Sequence, residues 1–143
     1  MHIMCVRGNE LPEPVFSTQT IAGELVVNDL TTGLMWQKEY KTGKTWQQAL
    51  KYCEDLTYAG YSDWRLPNKN ELVSLLNYDD TGAPYSDFPG MPRNYFWSSS
   101  TFINQYYDNN GKDYAWGVNF IYGDVYNISK TNQPYIHCVR NAE

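Results

Sequence analysis

The sequence is poor in the residues that mark catalysis, metal binding and membrane insertion. Its 143 residues include two histidines and three cysteines, and no two cysteines have the short spacing of a zinc or dithiol motif. No run approaches the ~18 apolar residues of a membrane span, and no signal-peptide pattern opens the chain. The formal net charge is −5, which argues against nucleic acid and other polyanions as partners. We therefore expect neither a nucleic-acid partner nor direct membrane insertion.

Aromatic residues are abundant instead. They make up 16% of the chain, with 13 tyrosines and 5 tryptophans, whereas only 19% of the residues are charged. A chain of this length can bury about 70% of the surface of its unfolded form, and this composition indicates one folded domain rather than disorder. Because aromatic side chains bury the most area each, we expect all five tryptophans in the core: Trp36, Trp46, Trp64, Trp97 and Trp116.

The densest run of position-specific residues is 60–72. Gly60 is typical of a helix C-terminus, where a positive φ is often needed. Asn68 reads as an N-cap, with Glu71 three residues later to complete a capping box. The run therefore predicts the end of one helix, a crossing of the core and the start of a second helix. We expect Arg65 to be buried and paired with Glu71 or a nearby aspartate.

The rest of the pattern predicts an α+β domain with helices grouped before a run of strands. Thr45 and Gln48 form the capping box of the first helix. Trp116, Val118 and Phe120 alternate, so all three should face inward. The predicted strands cover 24–29, 34–37, 95–101, 114–122, 125–129 and 135–140, the last four as an antiparallel meander, and the predicted helices cover 45–57 and 69–77.

The first 23 residues are assigned to a separate N-terminal segment, and residues 24–143 to the domain. Within that segment, Ile3-Met4-Cys5-Val6-Arg7 matches Ile136-His137-Cys138-Val139-Arg140 at four of five positions. Chance explains so short a match adequately. The alternative is that residues 3–7 are the last strand of an upstream copy, which would make the native protein a tandem array.

Several motifs, in order, resemble one known family. They are Asp29-x-x-Thr32-Gly33-Leu34-Met35-Trp36-Gln37, Trp46-x-x-Ala49-x-x-x-Cys53, Asp63-Trp64-Arg65-Leu66-Pro67-Asn68-x-x-Glu71-Leu72, Phe88-Pro89, Phe96-Trp97-Ser98-Ser99, Ala115-Trp116-x-Val118-x-Phe120-x-x-Gly123 and Cys138-Val139-Arg140. The chain thus resembles the bacterial Lcl C-terminal domain family over about residues 24–141. This family is named after a collagen-like surface adhesin and is similar to the C-type lectin-like fold.

The resemblance implies a disulfide. C-type lectin-like domains tie their first helix to their last strand, and the matching residues here are Cys53 and Cys138. A link that encloses so long a loop would add roughly 4–5 kcal/mol in the chain-entropy model. An odd count leaves one cysteine unpaired within the chain, and Cys5 would be that residue.

Enzyme chemistry has little support in the sequence. His2 lies near the terminus, and His137 lies in a predicted strand. The run Ser98-Ser99-Ser100 has no neighbouring base and no nucleophile-elbow glycines, so we expect its hydroxyls to bond locally. We therefore predict no catalytic residues.

We predict no cofactor, but two loops could collect a structural calcium ion from carboxylate and amide oxygens. Neither fits an EF-hand, and the alternative is a solvated acidic loop. The resemblance does not bring calcium-mediated sugar binding with it, because 132–135 lacks the Glu-Pro-Asn or Gln-Pro-Asp type motif. The candidate ligands are Asp79, Asp80 and Asp87 in one loop and Asp108, Asn110 and Asp113 in the other.

A surplus of tyrosine and asparagine in the second half is the best candidate for function. These side chains combine contact area with adaptable hydrogen bonds at low entropic cost, although tyrosines could equally cover a sheet face. We predict a non-enzymatic recognition module of a bacterial surface or secreted protein, extracellular or in the cell envelope, that binds a glycan or a protein. The alternative is a structural repeat unit. The predicted ligand-binding residues are Tyr106, Tyr107, Asn109, Asn110, Tyr122, Tyr126 and Asn127.

Overall fold

A computed structural model describes residues 15–77, 86–103 and 112–142. Its element order confirms an α+β fold with antiparallel sheets. The elements are β1 (Phe16–Ile21), β2 (Glu24–Asp29), β3 (Leu34–Gln37), α1 (Trp46–Asp55), α2 (Lys69–Val73), β4 (Tyr95–Phe102), β5 (Tyr114–Asn119), β6 (Asp124–Ser129) and β7 (Val139–Asn141).

The strands form two sheets, with orders β1-β2-β3-β7 and β4-β5-β6. The predicted four-strand meander is therefore wrong in its last member, because β7 pairs with β3. The chain before β7 makes the transition between the sheets: Tyr135 bridges Phe96 in β4, and Ile136 bridges Lys41 near the other sheet. The C-terminal segment thus connects both halves of the fold.

Strand β1 was not predicted, and it lies within the segment assigned to residues 1–23. It pairs with β2 over its full length through a tight turn in which Ala22 and Gly23 both have positive φ, at 52° and 82°. Two such residues match the turn geometry that twisted hairpins favour. Because the four central residues of β1 are all exposed, the strand shows no apolar alternation by which it could be recognised.

Both predicted helix starts are confirmed, but both helix ends come earlier than predicted. The Thr45 N–H donates to the Gln48 side chain at 3.0 Å, and the Glu71 N–H donates to Asn68 Oδ1 at 2.8 Å. Helix α1 ends at Asp55 and α2 at Val73. Gly60 is therefore not a helix cap. It has a φ of 79° in the tight turn between residues 58 and 61.

Two apolar clusters form the core, and the β4-β5-β6 sheet contributes to both. Trp97 packs in the cluster beneath α1, whereas its neighbour Phe96 packs in the cluster that contains Leu72 of α2. The prediction that Trp116 lies in the core is wrong, because Trp116 is only half-buried. Its ring packs edge-on against Phe102, with centroids 4.9 Å apart. The other four tryptophans are buried as predicted.

The predicted disulfide between Cys53 and Cys138 is present and joins α1 to the segment that leads into β7. Both cysteines are fully buried. Cys5 lies outside the described residues.

The ion pair between Arg65 and Glu71 is confirmed, with guanidinium–carboxylate contacts of 2.7 and 2.8 Å. Arg65 is not buried, however, because 39% of its side chain is exposed. Among the arginines that the structure describes, the buried one is Arg140, whose Nε donates to Asp63 at 2.6 Å and whose guanidinium stacks 3.6 Å from the centre of the Tyr61 ring. Trp64, Arg65, Pro67 and Glu71 form the structural fingerprint in the family motif at 63–72. Of these residues, Trp64 and Pro67 are buried.

Candidate functional site

A groove of about 560 Å³ runs beside strand β6. This volume falls within the range of about 300–1,000 Å³ that is typical of ligand sites. The strands supply the tyrosines and Asn127, the segments next to the strands supply the other amides, and Ile128, Ser129 and Pro134 complete the wall. The tyrosines and amides are Tyr95, Tyr114, Tyr126, Asn94, Asn127, Asn132 and Gln133.

Tyr126 is the most exposed aromatic ring of the groove, with 40% of its surface accessible. It pairs across the sheet with Gly117 and lies beside the ring of Tyr95, with centroids 5.7 Å apart and planes tilted by 38°. A side chain at 117 would collide with Ile128 and with the Phe96 carbonyl at 2.8 Å. Glycine at this position therefore permits the close packing of the sheet that carries both tyrosines.

The opposite wall is the turn that follows β6. The Asn132 N–H donates to the Ser129 carbonyl at 2.9 Å, and the Tyr135 N–H donates to the Tyr95 carbonyl at 2.9 Å. The first hydrogen bond closes the turn, and the second holds the chain that follows it against β4. Pro134 is buried there, whereas the side chains of Asn132 and Gln133 are exposed.

None of the residues that line the groove carries a formal charge. The negative charge of Asp124 raises the pKa of Tyr126, with a further contribution from a hydrogen bond to the same carboxylate. The Tyr126 phenol therefore stays protonated at neutral pH. The groove offers neutral donors and acceptors beside aromatic faces.

The structure brings together two of the residues predicted to bind ligand, Tyr126 and Asn127. Tyr122 lies in the turn between β5 and β6, with 69% of its surface exposed, and does not line the groove. Sequence reasoning missed the amides at 132 and 133 because it treated them only as a turn. The other predicted ligand-binding residues, Tyr106, Tyr107, Asn109 and Asn110, lie outside the described residues.

The histidine and serines considered for catalysis take part in the packing and hydrogen bonding of the fold. His137 is 1% exposed, and burial lowers its pKa to about 4. Ser98 Oγ donates to the Trp116 carbonyl at 2.6 Å, and Ser100 Oγ accepts from the Lys69 N–H at 2.9 Å. Ser98 Oγ also accepts from the Ser100 N–H at 3.2 Å, so the prediction of local bonding is confirmed for Ser98, whereas the Ser100 hydroxyl bonds to a residue 31 positions away.

Within residues 15–77, 86–103 and 112–142, no group of three or more His, Cys, Asp or Glu is placed to hold a metal ion. Of the calcium candidates, Asp87 accepts a hydrogen bond from Asn77 at 2.8 Å, and Asp113 is exposed. The remaining candidates, Asp79, Asp80, Asp108 and Asn110, lie outside the described residues.

A second depression of similar volume lies along α1. Its charged residues are already engaged: Lys51 pairs with Asp55 at 2.8 Å, and the Lys44 ammonium lies 5.7 Å from the centre of the Tyr52 ring. Of its eight lining residues only Tyr52 is aromatic, whereas three tyrosines line the groove beside β6.

These features define an α+β domain with two antiparallel sheets, one internal disulfide and a neutral, tyrosine-lined groove. The family model described as the Lcl C-terminal domain matches residues 25–140. The chain therefore belongs to the Lcl C-terminal domain family. No curated protein matches the chain. No helix in the described parts of the chain has the length and apolar character needed to span a membrane.

Proposed function

We propose that this domain is a non-enzymatic recognition module that binds a glycan or a protein in the groove beside β6. One observation carries the proposal: the exposed Tyr126 ring lies beside Tyr95, and the amides of Asn132 and Gln133 belong to the same groove. Aromatic faces with a few polar groups around them are typical of ligand sites.

The scaffold supports this role because the groove residues rest on fixed elements. Tyr95 and Tyr126 lie on strands, and the amide-bearing turn is hydrogen-bonded to β4. Tyrosine loses little conformational entropy when it binds, so such a wall can contribute affinity without a large ordering cost.

We further propose that the domain has a C-type lectin-like fold and works outside the cell or in the cell envelope of a bacterium, in an adhesin-like protein. The link from α1 to the segment before β7 supports both ideas. It joins the elements that C-type lectin-like domains join, and disulfides persist mainly in oxidising compartments.

A pair of matched variants tests the recognition function. Tyr126→Ala removes an exposed ring that packs on Tyr95, whereas Tyr40→Ala removes a similarly exposed ring, 46% accessible, that stacks on Tyr135 and does not line the groove. Glycan arrays and pull-downs from host and bacterial surface extracts should show binding that Tyr126→Ala loses and Tyr40→Ala keeps. Binding unaffected by Tyr126→Ala, or none in either assay, would count against the proposal.

The second candidate function is a structural unit of a tandem array, and the roles of residues 136–140 favour it. Ile136 and Val139 are fully buried, Cys138 forms the disulfide and Arg140 pairs with Asp63. These four are the positions at which residues 3–7 are identical. Sequencing the coding region upstream tests this candidate, because a second Trp-Arg-Leu-Pro run there would support an array.

A further inference from the structure

We propose that the groove selects neutral carbohydrates and discriminates against those that carry sulfate, sialic acid or uronic acid. A pyranose ring would stack on Tyr126, and its hydroxyls would bond to the amides of Asn132 and Gln133. This inference rests on the recognition function proposed above and names the ligand class of the same groove.

The first argument is the charge around the groove. The lining has no cation to pair with an acidic ligand, whereas anion sites in proteins use arginine, lysine or converging N–H groups. Asp124 lies close enough to Tyr126 to raise the pKa of its phenol, so an anionic ligand on this ring would also meet a like charge. The formal net charge of −5 acts in the same direction at longer range.

The second argument is the match between hydrogen-bonding groups. Each sugar hydroxyl both donates and accepts, and each side-chain amide offers two N–H donors beside a carbonyl acceptor. An ionised carboxylate or sulfate only accepts, so it can pair with the amide N–H groups of the turn but not with the amide oxygens. The exposed amides at 132 and 133 therefore suit hydroxyls better than anions.

The third argument is the shape of the aromatic wall. The Tyr95 and Tyr126 planes are tilted by 38°, which makes a shallow corner rather than a closed slot. The negative face of an aromatic ring attracts polarised C–H groups, and one side of a pyranose presents several of them. Because 40% of Tyr126 is accessible, one sugar ring can reach it without rearrangement of the strands.

The experiment compares pairs of ligands that differ by an acidic group. Immobilised galactose and glucose oligosaccharides are matched with their uronic-acid and sulfated counterparts, and binding is measured at low salt with the full chain. We expect at least one neutral oligosaccharide to bind and its acidic counterpart to bind at least about tenfold more weakly, since like-charge contacts cost several kcal/mol. Tyr126→Ala should abolish the binding and Tyr40→Ala should retain it.

Introducing a positive charge gives a second test. Asn132→Lys places a cation at the rim and should narrow the gap between each acidic ligand and its neutral match. Acidic ligands that bind as tightly as neutral ones, with loss in Tyr126→Ala, would overturn the inference and leave the recognition function standing. The same holds if only a protein binds through Tyr126. Absence of any glycan or protein binding would overturn both.

Discussion

His137 should make the stability of this domain depend on pH between 7 and 5. The imidazole is 1% exposed and stacks on Phe96, with ring centroids 4.9 Å apart and planes 2° from parallel. Phe88 lies on it at 4.8 Å. Nδ1 lies 3.0 Å from the Gln37 carbonyl. Burial lowers the pKa to about 4, assisted by the charge of Lys38 and opposed by backbone hydrogen bonds.

The direction in which the free energy of unfolding changes with pH follows from proton binding. The unfolded chain takes up a proton near the ordinary histidine pKa of about 6.5, whereas the folded chain resists it until about pH 4. Between these values the unfolded state binds more protons, so the free energy of unfolding falls as the pH falls. The loss is about 2 kcal/mol at pH 5 and approaches about 3 kcal/mol near pH 4.

His137→Met is the informative variant. Methionine packs well against aromatic rings but does not titrate, so the stability of His137→Met should be the same at both pH values, and its cost relative to the parent should shrink by about 2 kcal/mol at pH 5. Urea unfolding of both proteins at pH 7 and pH 5 should show the drop in the parent and not in the variant. The carboxylates of Asp63 and Glu71, whose pKa values are lowered in the folded state, titrate below this window and do not interfere. Equal stability of the parent at the two pH values, or an equal drop in the variant, would refute the reasoning.

Three further predictions concern the scaffold. Gly117→Ala forces a side chain against the Phe96 carbonyl and should lower the free energy of unfolding by about 1–3 kcal/mol in chemical denaturation. Replacing Cys53 and Cys138 together by alanine opens a link with a sequence separation of 85 and should cost about 2–5 kcal/mol; a melting temperature equal to that of the oxidised parent would contradict this. Asp63→Asn removes the charge that faces Arg140 and should cost about 1–3 kcal/mol, whereas a neutral effect in thermal melts would show the pair to be dispensable.

Much of the scaffold could be predicted from the sequence because its signals are local. The capping residues Thr45 and Asn68 each act on a backbone group within three residues of themselves. Strands β2 and β3 were predicted with their observed bounds. Turn chemistry and alternation fix such elements before any long-range contact forms.

The predictions that were wrong depend on contacts between residues that are far apart in the sequence, or on how completely the folded chain covers a side chain. The position of β7 beside β3 depends on pairing between residues more than one hundred positions apart, which no local pattern encodes. The burial of Arg140 rather than Arg65 depends on Asp63 and Tyr61, which surround it only in the folded chain. Trp116 read as core because period-two alternation identifies a face of a strand, and it does not reveal how completely that face is covered.

Only some of the groove residues could be predicted from the sequence, because the groove also depends on contacts between distant positions. Tyr126 and Asn127 belong to a tyrosine- and asparagine-rich stretch that composition singles out. Of their partners in the groove, Tyr95 begins β4 about thirty residues earlier in the chain, and the amides of the turn follow β6. Sheet pairing and the Tyr135–Tyr95 hydrogen bond bring them together.

Substitutions in the buried family motif and in the exposed groove should differ in their cost to stability. Trp64 is 2% exposed and its indole N–H donates to the Tyr58 carbonyl at 3.1 Å, so truncation there should cost about 3–5 kcal/mol. Tyr126 is 40% exposed at a sheet edge, where substitutions usually cost far less. The groove can therefore change its chemistry at little cost to the fold. Membership of the family consequently predicts the scaffold of another member. What that member binds must be inferred from the residues of its own groove.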